Sequence, residues 1–271
     1  MEWFHDATRK RNAYRGGFGE RQLTFVKNDL KRVPEEKLVV LMMHIPLTGT
    51  KDRQGLYRLI ENRPYTLSIS GHTHRQTHMF IGKEDGWQGK EPHHHIVNVT
   101  VSGSWWKGAK DERGIPHATM SDGAPNGYSI ITFDGQKATF DFKAARFPAS
   151  HQLRIHAPIA IKETDAKRTQ VYVNVFSGSK KSTVKLRVGN RKWFDLKKVR
   201  EVDPHYLALR DAEIKSKSGG KPMGGGSPSD HLWKGPFPLN LPIGIHLLEA
   251  ITKDMYGREF KATRVMRIEK N

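Results

Sequence analysis

Two stretches decide the architecture: Lys37–Pro46, KLVVLMMHIP, and Tyr65–His74, YTLSISGHTH. The first is a short continuous apolar run ending in a histidine and a proline, the composition of a strand buried on both faces. The second is a strand, Tyr65–Ser70, that runs directly into Gly-His-Thr-His. Between them, Asp52–Asn62 sets Leu56, Leu59 and Ile60 on one side of a helix, with Pro64 beyond its end. Upstream, Leu23, Val26 and Leu30 recur at helical spacing, which predicts a helix over Glu20–Val33 stopped by Pro34.

The two strand ends carry His44, followed by Ile45-Pro46, and the pair His72 and His74. In an open α/β layer, sites form where strand ends run into loops. Gly71 reads as the residue that permits a tight turn, and alternate residues of an extended stretch point different ways. His72 and His74 are therefore expected to face two neighbouring cations rather than chelate one. Neutral imidazole ligates zinc, iron and manganese. A lone histidine here would read as a hydrogen-bonded loop residue; histidines at two adjacent strand ends favour metal.

Further strands are predicted at Thr77–Ile81, His95–Ser102, Tyr128–Phe133 and Ala138–Lys143, with Asp134-Gly135 as a hairpin signal. A boundary is expected near Phe147–Ser150, giving domains 1–150 and 151–271. Beyond it the pattern is of strands without convincing helices: Val171–Phe176, Thr183–Val188, Ile245–Ile251 and Glu259–Ile268, the spacing of a β-sandwich. Lys215–Ser229, rich in Gly, Ser, Lys and Pro, reads as a mobile surface loop.

The composition bounds the function. The 271 residues include 46 Lys and Arg against 28 Asp and Glu, a formal net charge of +18. Such a chain attracts anions: phosphorylated substrates, nucleic acid or an acidic surface. The basic residues are spread along the chain and no nucleic-acid motif occurs, so a nucleic-acid partner is not expected. With 0 cysteines there is no disulfide, thiol nucleophile or Cys-ligated metal. No apolar run approaches the ~18 residues of a transmembrane segment. Met1–Arg15 has no apolar core, so it does not read as a secretory signal. No G-x-S-x-G elbow supports a serine hydrolase, and Ser177–Ser182 (SGSKKS) lacks phosphate-loop spacing.

Leu38–Pro46 followed by Ser70–His74 resembles the last two motifs of the calcineurin-like metallophosphoesterases. Ser102–Trp106 (SGSWW), Asp111–Pro116 (DERGIP), Asp122–Tyr128 (DGAPNGY), Ser229–Pro238 (SDHLWKGPFP) and Lys253–Phe260 (KDMYGREF) are similar to the subgroup with an additional C-terminal β domain. The resemblance implies the C-terminal half of a two-sheet αββα sandwich, followed by an all-β sandwich. It implies a phosphoester substrate and two divalent metal ions (Mn, Fe or Zn) with a bridging water. By position, His44 and His72 would bind one metal and His74 the other. Relatives with the added domain often look exported.

The family places D-x-H, G-D-x-x-D and G-N-H-[DE] ahead of the strand that carries the H-I-P histidine. None of these occurs here, and the His5-Asp6 pair does not match them. The expectation is thus of a C-terminal part holding half a site, whose partner is the missing N-terminal half of the same domain. Three histidines divided between two metals bind neither well. Without the first half, Lys37–His44 is expected to expose an apolar edge or face. The alternative function is a non-catalytic binding module carried by the C-terminal β domain.

Arg113, with Trp105 and Trp106, is a candidate for the substrate cleft, since Arg suits bidentate phosphate contacts. The other reading of Arg113 is a loop held by its own aspartate–arginine pairing. His93-His94-His95 reads as a solvated loop before a strand. His78 and His117 read as polar surface or site rim, and Trp193 and Trp233 as packing in the sandwich.

Overall fold

The computed structural model describes residues 2–5 (backbone), 14–105, 109–110, 113–116, 118–216 and 223–271. They form two compact units: Met1–His74 with His78–Asn98 and Ile131–Phe140, and Arg75–Thr77 with Val99–Ile130 and Asp141–Asn271.

The first unit begins with an antiparallel pair, β1 (Glu2–His5) and β2 (Tyr14–Gly17), and then α1 (Gly19–Leu30). The orphan amides at the start of α1 are met from a distance. Phe18 N and Gly19 N both donate to the Asp52 carboxylate, at 2.8–3.0 Å. This is a charge-assisted cap that also complements the helix dipole. Strand β3 (Val39–Met42) leads into α2 (Arg53–Ile60) and β4 (Thr66–Ser70), followed by β5 (Thr77–Ile81) and β6 (His93–Val97). Gly55 lets α1 approach α2, since a Cβ there would stand 2.8 Å from a Leu23 methyl. The core gathers Phe18, Leu47, Leu56, Tyr57, Ile60, Ile81 and Trp87.

The sheet order is β3-β4-β6-β5, with β3 parallel to β4 and β4 parallel to β6. Strand β3 is therefore an edge strand among the described residues, not one buried on both faces. Met42 is 79% exposed. The apolar run looked central because an apolar edge strand and a buried strand have the same composition.

A hairpin of β7 (Gly127–Asp134) and β8 (Lys137–Ala144) turns at Gly135, whose φ is 58°. The remaining strands are β9 (Leu153–His156), β10 (Ala160–Lys162), β11 (Gln170–Val175), β12 (Thr183–Val188), β13 (Phe194–Asp195) and β14 (Lys197–Val199). They are followed by α3 (Pro204–Ser216), β15 (Leu232–Pro236), β16 (Gly244–Lys253) and β17 (Glu259–Glu269). They build two sheets, β14-β15-β11-β9 and β10-β17-β16-β12-β13. Val171, Val173 and Val175 of the first share one core with Val184, Leu186 and Val188 of the second, joined by Trp233, Leu248 and Ala250. Strands β9 and β12 alternate inward apolar with outward polar residues, as a half-buried sheet requires.

Helix α3 departs from the expectation of strands alone. Its only buried residue is Tyr206, so it carries no apolar stripe to betray it. Its signal is at the start: Asp203 accepts from His205 N (2.6 Å) and Tyr206 N (3.1 Å), with Pro204 at the first helical position. The loop expected over Lys215–Ser229 lies partly outside the described residues. What is described of it is held: Met223 and Ser229 are buried, and Ser227 N donates to Ser121 O at 2.8 Å.

A buried polar knot joins these pieces of the second unit. Asp122 accepts from Ala124 N (3.1 Å) and Gln76 N (2.8 Å), and lies 3.1 Å from His231 Nε2. His231 Nδ1 meets Asn174 Oδ1 at 2.7 Å. The Asn174 amide nitrogen is spent on Asp122 O and Asp203, so its oxygen accepts from the imidazole. Gly123 sits at φ 88°, and a Cβ there would stand 2.4 Å from the Asp203 carboxylate. Asp122→Ala leaves the amides of Gln76 and Ala124 without their acceptor and removes the carboxylate 3.1 Å from His231 Nε2. It is expected to lower stability by about 3–5 kcal/mol, read by urea denaturation followed in the far ultraviolet. A change within ~0.5 kcal/mol would show that the knot contributes little.

Candidate functional site

The parallel register Val39↔Thr66 to Met42↔Ile69 brings the C-terminal ends of β3 and β4 side by side. Met43 N donates to Ile69 O (3.0 Å) and Gly71 N to His44 O (3.1 Å), so the alignment extends into both loops. His44 and His72 consequently meet: Nε2 of His44 and Nδ1 of His72 are 3.0 Å apart, with the rings edge to face at 4.8 Å. The other ring nitrogen of His72 faces the Tyr14 hydroxyl at 3.4 Å.

The loop is not extended, as the sequence suggested. His72 has φ 68° and His74 φ 53°, both left-handed, and Thr73 N donates back to Gly71 O at 2.8 Å. The unusual backbone belongs to the histidines, not to Gly71, which has no positive φ and open space where a Cβ would be. Left-handed conformation in a non-glycine residue costs of order 1–3 kcal/mol and concentrates at functional sites. Burial lowers the pKa of His72 from 6.5, and the charges of His44 and His74 lower it further. The neutral imidazole, the ligand form, is thereby favoured.

Two imidazole nitrogens at ~2.0–2.1 Å from one cation, 90–110° apart, stand roughly 2.9–3.4 Å from each other. The His44–His72 spacing matches two ligands of a single ion. The fit ends there. Among the described residues no group of three His, Asp or Glu gathers to hold a metal. His74 is near enough for its charge to act on His72, yet it does not complete such a group. Arg113 and Trp105 belong to the second unit, where Arg113 lines a cavity and Trp105 stands 65% exposed at φ 76°. His5, Asp6, Trp106, Asp111, Glu112 and His117 have side chains outside the described residues.

The triple histidine is a strand, not a solvated loop. His93 and His95 are buried facing β4. Leu47 N lies 3.4 Å from His95 Nε2, which marks that nitrogen as an acceptor. The rest follows: Ser70 Oγ donates to His95 Nε2 (2.9 Å) and His95 Nδ1 to Ser68 Oγ (2.7 Å). Ser68 Oγ then donates to His93 Nε2 (2.7 Å), and His93 Nδ1 to Thr66 Oγ1 (2.9 Å). Period-two hydroxyls at 66, 68 and 70 opposite histidines at 93 and 95 were the available signal. His94 points to the opposite face, stacked on Phe80 and 3.0 Å from His78, which is itself buried.

Burial lowers His93 to about 4 and His95 to about 3. Both folded values lie below the unfolded ~6.5, so the unfolded chain takes up protons first as pH falls. Their contribution to stability is complete above about pH 6.5 and is lost progressively towards about 4 and 3. Urea midpoints of the first unit, followed by Trp87 fluorescence beside His93, should therefore fall from pH 7 to pH 4. The double substitution His93→Gln, His95→Gln should flatten that slope. Gly71→Ala, by contrast, should change stability by no more than ~0.5 kcal/mol.

Comparison with known proteins adds a family. The profile described as "C terminal of Calcineurin-like phosphoesterase" matches residues 95–260, a span that begins beyond His44, His72 and His74. None of the curated proteins matches the chain. Among solved structures, superoxide reductase (neelaredoxin) from Ignicoccus hospitalis is 16% identical over 44% of this chain and 81% of that one. Its TM-score is 0.25, a likeness that carries no argument.

Proposed function

Because the chain belongs to the family of C-terminal regions of calcineurin-like phosphoesterases, we propose that it serves a metal-dependent phosphoester hydrolase, to which it contributes part of a two-metal site. The observation that carries this reading is the 3.0 Å approach of His44 and His72 at the ends of two parallel strands. In it, the first domain, 1–150, is the C-terminal half of an αββα sandwich, and 151–271 is a β-sandwich.

His44 Nε2 and His72 Nδ1 would hold one cation, and His74 would contribute to the second. Divalent cations held there supply polarisation of a phosphoryl oxygen and activation of water. The chain's own part is orientation. Left-handed backbone at positions 72 and 74 aims the rings, the Tyr14 hydroxyl faces the outer nitrogen of His72, and burial favours the neutral form of that ring. The carboxylate ligands would come from a segment bearing D-x-H, G-D-x-x-D and G-N-H-[DE]. The edge of β3 beside the exposed Met42 offers a place for its strands.

Zinc titrated into the chain should bind weakly, and His44→Ala or His72→Ala should each lower that affinity at least ~10-fold. With the motif-bearing segment supplied, phosphodiester hydrolysis should appear, and the same substitutions should reduce it at least ~100-fold. Metal binding indifferent to both substitutions would overturn the reading.

One observation favours a binding module as a second reading. The outer face of β12, β16 and β17 forms a groove of about 520 Å³ lined by Lys185, Arg187, Lys253 and Lys261, with Trp193 beside the Arg187 guanidinium at 4.7 Å. On that reading Trp193→Ala and Lys253→Gln weaken retention of the chain by dextran sulfate, with no effect on zinc binding.

A further inference from the structure

The sheet that carries β16 and β17 ends in an apolar tip, wholly within the second unit. Ile159, Leu239, Ile243, Ile245, Leu247 and Val265 are each between 42% and 78% exposed. The hydrogen bonding gathers them where β16 begins and β17 ends. Leu247 pairs with Val265, and Ile245 with Arg267. Arg267 N donates to Ile159 O at 2.8 Å. On the other side, Gly189 N donates to Leu247 O at 2.8 Å, and Arg191 of the same turn donates to Leu239 O at 2.6 Å. Leu248, Met266 and Ile268 of the same strands already fill the core. The outward residues are therefore apolar in addition to the core, on the face that period two turns to solvent.

Charge rings this tip. Arg191 and Lys192 flank it on one side, and Arg267 stands across from Ile245. Beyond Lys162, β10 runs into a helical turn, Glu163–Arg168, which brings Lys167 and Arg168. Thr164 N ties that turn to the same end by donating to Asn271 Oδ1 at 3.1 Å. The acidic groups here are Glu163, Asp165 and Glu269, all exposed, with Glu269 4.0 Å from Arg267. Glu249 lies one row further along the sheet and is engaged by Arg187. With every acid counted, cations still outnumber them around the aliphatic residues. Their long stems can lie along apolar surface while the charged ends stay in water.

A contiguous apolar patch rimmed by polar groups marks a surface that something covers. A second copy of the chain fits poorly, since it brings the same cationic rim and the same formal charge of +18. Protein partners anchor on Trp and Tyr seated in pockets, whereas the exposed apolar residues of this tip are all aliphatic. Aliphatic groups inside a cationic rim complement a surface that is hydrocarbon within and anionic at its skin. We propose that this end of the second unit docks on an anionic lipid bilayer. Its aliphatic side chains enter the boundary between headgroups and acyl chains, and Arg191 and Arg267 meet the lipid phosphates. The docking requires neither the His44–His72 reading nor the groove lined by Lys185 and Lys253.

The test is flotation of the full chain with vesicles at physiological salt, either phosphatidylcholine alone or an equal mixture of phosphatidylcholine and phosphatidylglycerol. The chain should float with the mixed vesicles and stay behind with the neutral ones. Replacing Ile245→Ser and Leu247→Ser together should lower the partition coefficient at least ~10-fold. Arg191→Gln and Arg267→Gln should each lower it about 5-fold. Lys253 ends β16, roughly 27 Å along the strand from Ile245, so Lys253→Gln should leave flotation unchanged. The same variant weakens retention by dextran sulfate if the groove binds polyanions, so the two readings fail separately. No flotation with mixed vesicles would overturn the proposal, as would equal flotation with neutral ones. An Ile245→Ser, Leu247→Ser variant that floats as the parent chain does would reduce the effect to net charge and overturn it too. A dimer seen by light scattering and abolished by Leu247→Ser would assign the tip to a second copy instead. Far-ultraviolet circular dichroism confirms that each variant is folded before its partition is compared.

Discussion

Parallel pairing of β3 with β4 is the constraint on which the candidate site depends. Parallel strands place equivalent ends together, so two loops that follow different strands open on the same side. His44 and His72 are 28 residues apart in sequence, and the register Met42↔Ile69 makes them neighbours. The strands earn that register on their other faces: Ser68 and Ser70 of β4 are tied to His95 of β6, and Leu47, after the His-Ile-Pro turn, anchors to the same imidazole. The histidine ladder of β6 is thus structural, and it fixes the strand whose end carries His72.

The second unit is organised by a different device. Asp122, Asn174, Asp203 and His231 are all buried, and each satisfies polar groups from another segment. A half-satisfied network of this kind would cost more than an apolar core, which is why every member must be present together. Two of these residues lie in the stretches DGAPNGY and SDHLWKGPFP, which carried the family resemblance. In this chain Asp122 and His231 of those stretches are buried in the knot. A motif read from sequence says that residues matter; only burial says whether the reason is chemistry or cohesion.

Much of the strand pattern was legible because period two and apolar runs survive without neighbours: Thr77–Ile81 and Thr183–Val188 match their strands to the residue. What failed depended on partners distant in sequence. The expected strand His95–Ser102 instead begins at His93, since only the serines of β4 make histidine tolerable inside. Helix α3 was missed because a helix that buries one tyrosine has no stripe to read, and its Asp-Pro start is brief. For the site, the sequence named the histidines of both strand ends, but their left-handed backbone is a property of the folded loop alone. Thr73 reaching back to Gly71 has no counterpart in the letters G-H-T-H.

Electrostatics explains why two well-placed histidines do not by themselves make a metal centre. A divalent cation leaving water loses a large hydration energy, and neutral imidazoles return none of its charge. Carboxylates do both, yet among the described residues none joins His44 and His72 in a ligand group. The formal charge of +18 makes the surrounding field less favourable still. The same field is an advantage for a phosphate, which is drawn by cations that a metal avoids. On the proposed reading, an acidic, ligand-bearing segment would bring the negative charge that holds the cations, and the basic chain the attraction for a phosphoester.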